Sequence, residues 1–498
     1  MLRKIMVVLV AGVCFLPSLI AQSHPKPKPV AKVKPLPEQP MPLTTKSVKA
    51  KDLYQRAVLD YELMYLDRAL IGWRAAAKED PSFAAAFAMV AMNSHDPEEI
   101  RTSRERAKEL APKSSAGEKL MIQWIADTQE GNSLSGVAAM NDLISKFPRD
   151  RHIYYLAANW LLGEHGYDQA HHLLHKVLDR DPDYAPALNI VAYVHANNRE
   201  FDEALASIDH YAKLVPQQPN PEDSYGEILR MSGHFETALD HYRAALNIDP
   251  NFNLAQLGIA DTYSLLGNQE QARREYDTAV QREPDRANRF DYRMQKAATW
   301  IREKNYTEAD REFWRVAMEA HEQSYELQEA QALRRMAQYA PDDKPALERL
   351  ASAEDALTHR NNLSPADRND ELAQILRIRA MRAMHAGKEE VAQAALNQLG
   401  ELAAASRNRM IQGCWHGAAG EMLLAKGQFQ EAIAELGEDA DNPATLASLV
   451  KAYAEVGKSE QSRAVAERLR TTYLPTLEQA LSVEMAGKPA GLPAADLK

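Results

Sequence analysis

Cysteine is nearly absent: Cys14 and Cys414 are the only two in 498 residues. A disulfide framework is therefore excluded as the basis of the fold. Alternating runs of β-branched or aromatic residues are also missing, and Ala, Leu, Glu, Gln and Arg dominate instead. That composition leaves little room for strands and favours helix throughout. No nucleophile elbow, phosphate-binding glycine loop, dinucleotide fingerprint or supported pair of catalytic carboxylates occurs, so the sequence gives no reason to expect an enzyme or a bound cofactor. No basic cluster follows Lys51, which argues against nucleic acid, because nonspecific binding needs a basic stripe that displaces counterions.

What is present is a strongly divided charge. Residues 1–51 carry a net of +8, leaving −19 for residues 52–498. Residues 1–21 read as a signal peptide: Arg3-Lys4, an almost wholly apolar stretch from Ile5 to Ile20, then Ala21. The stretch is shorter than the ~20 residues of a spanning helix and contains Pro17. Export to the periplasm or beyond is the expectation, with no stable membrane span after cleavage; an uncleaved inner-membrane anchor is the alternative. Residues 22–48 hold seven prolines between Pro25 and Pro42, interleaved with lysines, and read as an extended flexible linker. Weak contact with anionic lipid or glycan is its other reading.

Beyond it the chain is periodic. Pro148, Pro182, Pro216, Pro250 and Pro284 stand 34 residues apart, as do Ala170, Ala204, Ala238 and Ala272. A third register, Ala158, Ala192, Gly226 and Ala260, keeps the same interval. One helix-turn-helix unit of this length cannot bury its apolar face alone, so units must stack. Small residues recur where two backbones approach, with Leu174, Ile208, Tyr242 and Tyr276 filling the space beside them. Each proline stops a helix by lacking the N–H and restricting its predecessor.

The pattern resembles the tetratricopeptide repeat family. In units starting at Pro219 and Asn253 its signature positions read Gly226, Leu229, Ala238, Tyr242, Ala245, Pro250, then Ala260, Tyr263, Ala272, Tyr276, Ala279, Pro284. Units starting at Arg151 and Ala185 fit less fully, with Val177 and Tyr211 where alanine is usual. The resemblance implies an all-α, right-handed superhelical solenoid. Its expected organisation is a first repeat block over 49–322, an irregular helical joint over 323–365, a second block over 366–478 and a flexible tail over 479–498. In this family, first-helix positions face a concave groove; here they include Tyr155, Asn159, Asn189, Tyr193, Asp223, Glu227, Arg230 and Asp261. Tyrosine and asparagine can hold extended backbone, and the carboxylates can attract basic side chains of a ligand. An ordinary solvated helix face is the competing reading.

Three clusters are candidates for chemistry. Of His171, His172 and His175, the first and last are four apart and share a helix face, and the cluster reads as an exposed metal-free surface or a weak divalent site. Asp179, Asp181 and Asp183 flank Pro182 and lack the glycine and distal glutamate of a calcium loop, so they read as a turn. Cys414, beside Trp415, reads as a packed small hydrophobe. The function expected is therefore an exported, non-enzymatic scaffold or assembly factor that grips a protein or peptide. Its acidic charge suits a basic partner, and self-association stays open. Alternatives are a structural adaptor in envelope or polysaccharide assembly, and an enzyme with an unrecognised site between Gln323 and Pro365.

Overall fold

The computed structural model describes residues 38–360, 362–406 and 408–483. Among these the regular structure is entirely helical, so the chain is an all-α solenoid. The helices run as α1 (Val48–Glu62), α2 (Leu66–Glu79), α3 (Ala84–Asn93), α4 (Pro97–Leu110), α5 (Ala116–Gln129) and α6 (Ser133–Lys146). The strictly periodic part holds α7 (Arg151–Gly163), α8 (Tyr167–Leu178), α9 (Ala185–Asn197), α10 (Phe201–Leu214), α11 (Asn220–Met231), α12 (Phe235–Ile248), α13 (Asn253–Leu265) and α14 (Gln269–Arg282). Then come α15 (Arg286–Arg302), α16 (Tyr306–Gln323), α17 (Glu326–Tyr339), α18 (Asp343–Ala356), α19 (Pro365–His385) and α20 (Glu389–Ala405). The last are α21 (Arg409–Ala425), α22 (Phe429–Gly437), α23 (Pro443–Glu455), α24 (Ser459–Arg470) and the short α25 (Leu477–Ser482).

One backbone device makes most of the hairpins. A residue with φ near +60 to +90° stands two positions before the second helix of the pair: Met64, Gly131, His165, Arg199, Gly233, Gly267, Lys304, Gly387, Gly427 and Gly457. A left-handed residue reverses the chain in the fewest steps, and glycine takes it without a Cβ penalty. Where the sequence has His165 or Arg199 instead, backbone bonds close the same turn, from the Gly166 N–H to the Leu161 carbonyl at 2.7 Å and from the Glu200 N–H to the His195 carbonyl at 2.9 Å.

The three sequence registers meet at the crossings. Ala158, Ala192 and Ala260 are fully buried, as are Ala170, Ala204, Ala238 and Ala272, with Leu174, Ile208, Tyr242 and Tyr276 beside them. Tyr211, at a place where the family usually has alanine, is also fully buried, and Asn220 donates to its hydroxyl at 3.1 Å. From α3 onward most odd-numbered helices pack on the next odd-numbered helix as well as on their hairpin partner; no even-numbered helix does so comparably. The odd helices are therefore the inner layer.

The superhelix is wound tightly enough for distant units to touch. Arg68 pairs with Asp249 at 2.9 Å, and Tyr65 meets Phe252 edge-on at 5.7 Å. Further along, Asn408 bonds Glu164 at 3.2 Å and Arg409 donates to the His165 carbonyl at 3.0 Å.

Several expectations differ from this picture or fall outside it. Residues 1–21, read as a signal peptide, lie outside the described residues, as do 22–37 of the expected linker and 484–498 of the expected tail. Residues 38–47 are not free linker: they run as a strap along α5 and α7. The Met41 N–H donates to Asp150 at 2.6 Å, the Thr44 N–H donates to Glu118 at 3.0 Å, and Ser115 Oγ donates to the Pro42 carbonyl at 2.8 Å. The proline-lysine composition hid this, because Met41 and Thr44 supply the anchors. Residues 323–365 contain the regular hairpin α17–α18, packed on α16 and α19. Pro341 lies in its turn and Pro345 in the first turn of α18, where proline is tolerated.

Close packing gives a test. A Cβ on Gly258 of α13 would lie 2.2 Å from Tyr242 Cε1, and that ring is fully buried. Gly258→Ala gains ~1 kcal/mol of helix propensity. Overpacking costs about 1–3 kcal/mol and wins. The variant should melt at lower temperature by circular dichroism, whereas Gly163→Ala, with open space around it, should melt at or above the wild-type temperature.

Candidate polypeptide-binding groove

All eight groove residues stand on inner helices: Tyr155 and Asn159 on α7, Asn189 and Tyr193 on α9, Asp223, Glu227 and Arg230 on α11, and Asp261 on α13. Tyr155, Asn189, Asp223, Arg230 and Asp261 are buried, while Asn159, Tyr193 and Glu227 are half-buried. Solvent reaches only part of this face. The chain itself covers the rest, from both ends.

At one end the turn between α1 and α2 covers α7. The Tyr61 ring meets Tyr155 edge-on at 6.0 Å, and Asn159 donates to the Tyr61 hydroxyl at 2.6 Å. Glu62, buried beneath, accepts from the Tyr184 hydroxyl at 2.6 Å and contacts His152. At the other end lies the stretch after α24. Residues 472–475 have no regular structure and lead into α25. Arg199 donates to the Thr471 carbonyl at 3.2 Å and Arg230 to the Tyr473 carbonyl at 3.2 Å. Arg302 reaches the Leu474 carbonyl at 3.4 Å and Gln479 Oε1 at 2.7 Å. The Tyr473 ring lies over Gly233, where a Cβ would come within 2.7 Å of it, and meets Phe235 edge-on at 5.0 Å. The expected tail over 479–498 thus begins inside α25, with Gln479 and Ser482 buried.

Between these covers runs a polar chain. Tyr193 donates to Glu227 Oε2 at 2.8 Å, Arg230 donates to Glu227 Oε1 at 2.8 Å, and Arg230 Nε donates to the Tyr242 hydroxyl at 3.4 Å. Burial, reinforced by the Glu227 charge, raises the Asp223 carboxyl well above its ordinary range, against the pull of Arg230. Burial also raises Asp261, to about 6, although Arg230 and the hydrogen bond from Tyr276 lower it. Asn189 Oδ1 and Asp223 Oδ1 are buried with no hydrogen-bond partner.

Beyond the groove, α17, α19, α21 and α25 contribute to the walls of an open cavity of about 1270 Å³. Its wall carries Arg334, Arg377, Met381, Cys414, Glu421 and Glu478. Its charges are paired: Arg334 with Glu371, and Arg377 with Asp439 at 2.8 Å. Burial opposes ionisation of Glu478, but the Arg334 charge and the Gln338 hydrogen bond of 2.8 Å outweigh it, and its pKa falls below the ordinary value. Cys414 is buried, and desolvation pushes its thiol up to about 11, so it is not a nucleophile at neutral pH. His171 and His175 approach at 2.9 Å between their Nε2 atoms on an exposed surface. Among the described residues no group of three or more His, Cys, Asp or Glu is placed to hold a metal ion.

Sequence reasoning missed Arg199, Arg302 and Tyr473. Their signal was weak: one arginine in a turn, one at the end of α15 and a Tyr-Leu-Pro step after the last unit.

Residues 229–297 match the tetratricopeptide repeat family. That stretch is similar to tetratricopeptide repeats. The matched stretch covers the hydrogen-bonded α11–α12 turn through most of α15, the part in which the repeat registers are complete. Among solved structures the chain is similar to the APC/C hetero-tetramer Cut9-Hcn1, at 16% identity over 84% of this chain and 76% of that one, with a TM-score of 0.39. It is similar to a tetratricopeptide repeat protein from Parabacteroides merdae, at 18% identity over 58% and 99%, TM-score 0.34. A third is YrrB, described as a repeat protein with an unusual peptide-binding site, at 17% identity over 36% and 90%, TM-score 0.25. No curated protein matches the chain.

Asp261 makes the groove pH-sensitive. A carboxyl whose folded pKa is raised contributes its most favourable balance below its unfolded value near 4, and loses it as pH rises through about 6. Asp261→Asn should therefore gain stability relative to the wild type, by on the order of 3 kcal/mol, between pH 4 and 7. Urea unfolding of both proteins at several pH values reads this; a pH-independent difference refutes it.

Proposed function

We propose that this protein is a non-enzymatic protein-interaction scaffold or assembly factor, exported to a bacterial cell envelope, whose inner groove holds extended polypeptide. One observation carries the groove reading: the inner wall already holds an irregular stretch of polypeptide, residues 472–475, through arginine side chains that bond its carbonyl oxygens. Such contacts recognise backbone and tolerate many side chains. The export reading rests on the amino-terminal sequence, with its charged start, apolar core and Ala21. No helix among the described residues is long and apolar enough to cross a membrane, which is compatible with release after cleavage.

Photocrosslinking in cells tests the groove. A photoreactive residue replacing half-buried Glu227 on inner helix α11 should give adducts with another protein, while one replacing exposed Glu236 on outer helix α12 should not. Equal labelling from both positions, or none from Glu227, removes the reading. Cell fractionation with amino-terminal sequencing tests export: a chain starting at Gln22 in the envelope fraction is expected.

A further inference from the structure

The last hairpin, α23–α24, is complete at Arg470, and the Thr471 N–H closes α24 on the Glu467 carbonyl. Residues 471–482 belong to no repeat. Of these, 471–476 are half-buried rather than embedded, and 472–475 make no helix. Their backbone is nonetheless held from three widely separated units, by Arg199, Arg230 and Arg302. Specific side-chain seats accompany these bonds. Tyr473 takes the space left by the missing Cβ of Gly233, Leu477 is buried in the core formed by α15 to α19, and Glu478 is held by Gln338 near Arg334. Leu474, Thr476, Glu478, Leu481 and Ser482 also form one wall of the 1270 Å³ cavity, so the seat opens into unfilled space.

The track presents Arg199, Arg230, Arg302 and Arg334. Arg230 is paired with Glu227 and Arg334 with Glu371, so these forks act as placed hydrogen-bond donors and do not make a basic patch. Arginine forks suit carbonyl oxygens and carboxylates.

Resting on the reading that this protein binds polypeptide, we propose that the arginine track is the docking site for a partner's segment, with residues 472–482 its occupant in the unbound protein. The partner presents an aromatic residue, an aliphatic–proline step and, within one helical turn, an acidic residue, matching Tyr473, Leu474-Pro475 and Glu478. It enters by competition, since both occupants need the same donors. A segment with free backbone carbonyls and one acidic residue fits this track.

Fluorescence anisotropy with a labelled peptide of residues 471–482 tests this against the full-length protein. The wild type, its seat filled, should bind weakly. Tyr473→Ala with Glu478→Lys weakens the internal occupant and should raise peptide affinity at least tenfold. Adding Arg302→Gln should reverse most of that gain, and adding Arg199→Ala, at an exposed turn, should reverse part of it without risk to the core; circular dichroism melts confirm that each variant is folded. A scrambled peptide should not bind. Equal affinity of the wild type and the double variant overturns the proposal, as does indifference to both arginine changes. Concentration-dependent dimers of the wild type in light scattering, abolished by Tyr473→Ala, also overturn it, because a second copy is then the occupant. If Glu227 still crosslinks to another protein while the peptide fails to bind, the docking track falls and the scaffold reading survives.

Discussion

Every unit depends on one contact, the close crossing of two helices at a residue no larger than alanine. Ala158, Ala192 and Ala260 on inner helices, and Ala170, Ala204, Ala238 and Ala272 on outer ones, are without solvent exposure. Where the inner residue is Gly226, a Cβ would come within about 3.0 Å of the α12 backbone and the Tyr242 ring. A larger side chain there would push the hairpin apart, and every subsequent unit inherits its position from the one before. The left-handed residue before most second helices serves the same end, because it fixes how soon the chain returns.

Repeated without interruption, that crossing curls the array until distant units meet. The contacts of Arg68 with Asp249 and of Asn408 with Glu164 are consequences of curvature accumulated over many hairpins. Curvature also narrows the inner face. A narrow inner face holds few waters, so its polar groups must bond each other or the chain that covers them. The run Tyr193–Glu227–Arg230–Tyr242 and the raised carboxyls of Asp223 and Asp261 are the electrostatic record of this.

Two parts of the chain cover the inner helices. One is the α1–α2 turn, joined to the groove by buried aromatic contacts through Tyr61 and by the buried Glu62. The other is the stretch after Arg470, half-buried and held largely through its backbone. The two differ in burial: Tyr61 and Glu62 are buried, whereas residues 471–476 are half-buried, and the proposed exchange rests on that difference.

The helical repeats were legible in the sequence because their determinants are local. Periodic alanine, glycine and proline act within one hairpin, and the unit starts at Arg151, Ala185 and Asn253 coincide with the starts of α7, α9 and α13, with that at Pro219 one residue before α11. The expectation that Tyr155, Asn189 and Asp223 face a groove came from the family resemblance, and all three stand on helices of the inner layer. Whether that face is open was not legible. It depends on superhelical curvature, a sum of small rotations that no single unit encodes, and on residues such as Tyr61 and Tyr473 that lie about 100 and 240 positions from their partners Asn159 and Arg230. Sequence alone thus determined the hairpin and its repetition through short-range sterics. Tertiary structure decided what fills the groove, because only closure of the superhelix brings the two ends of the array onto its own inner wall.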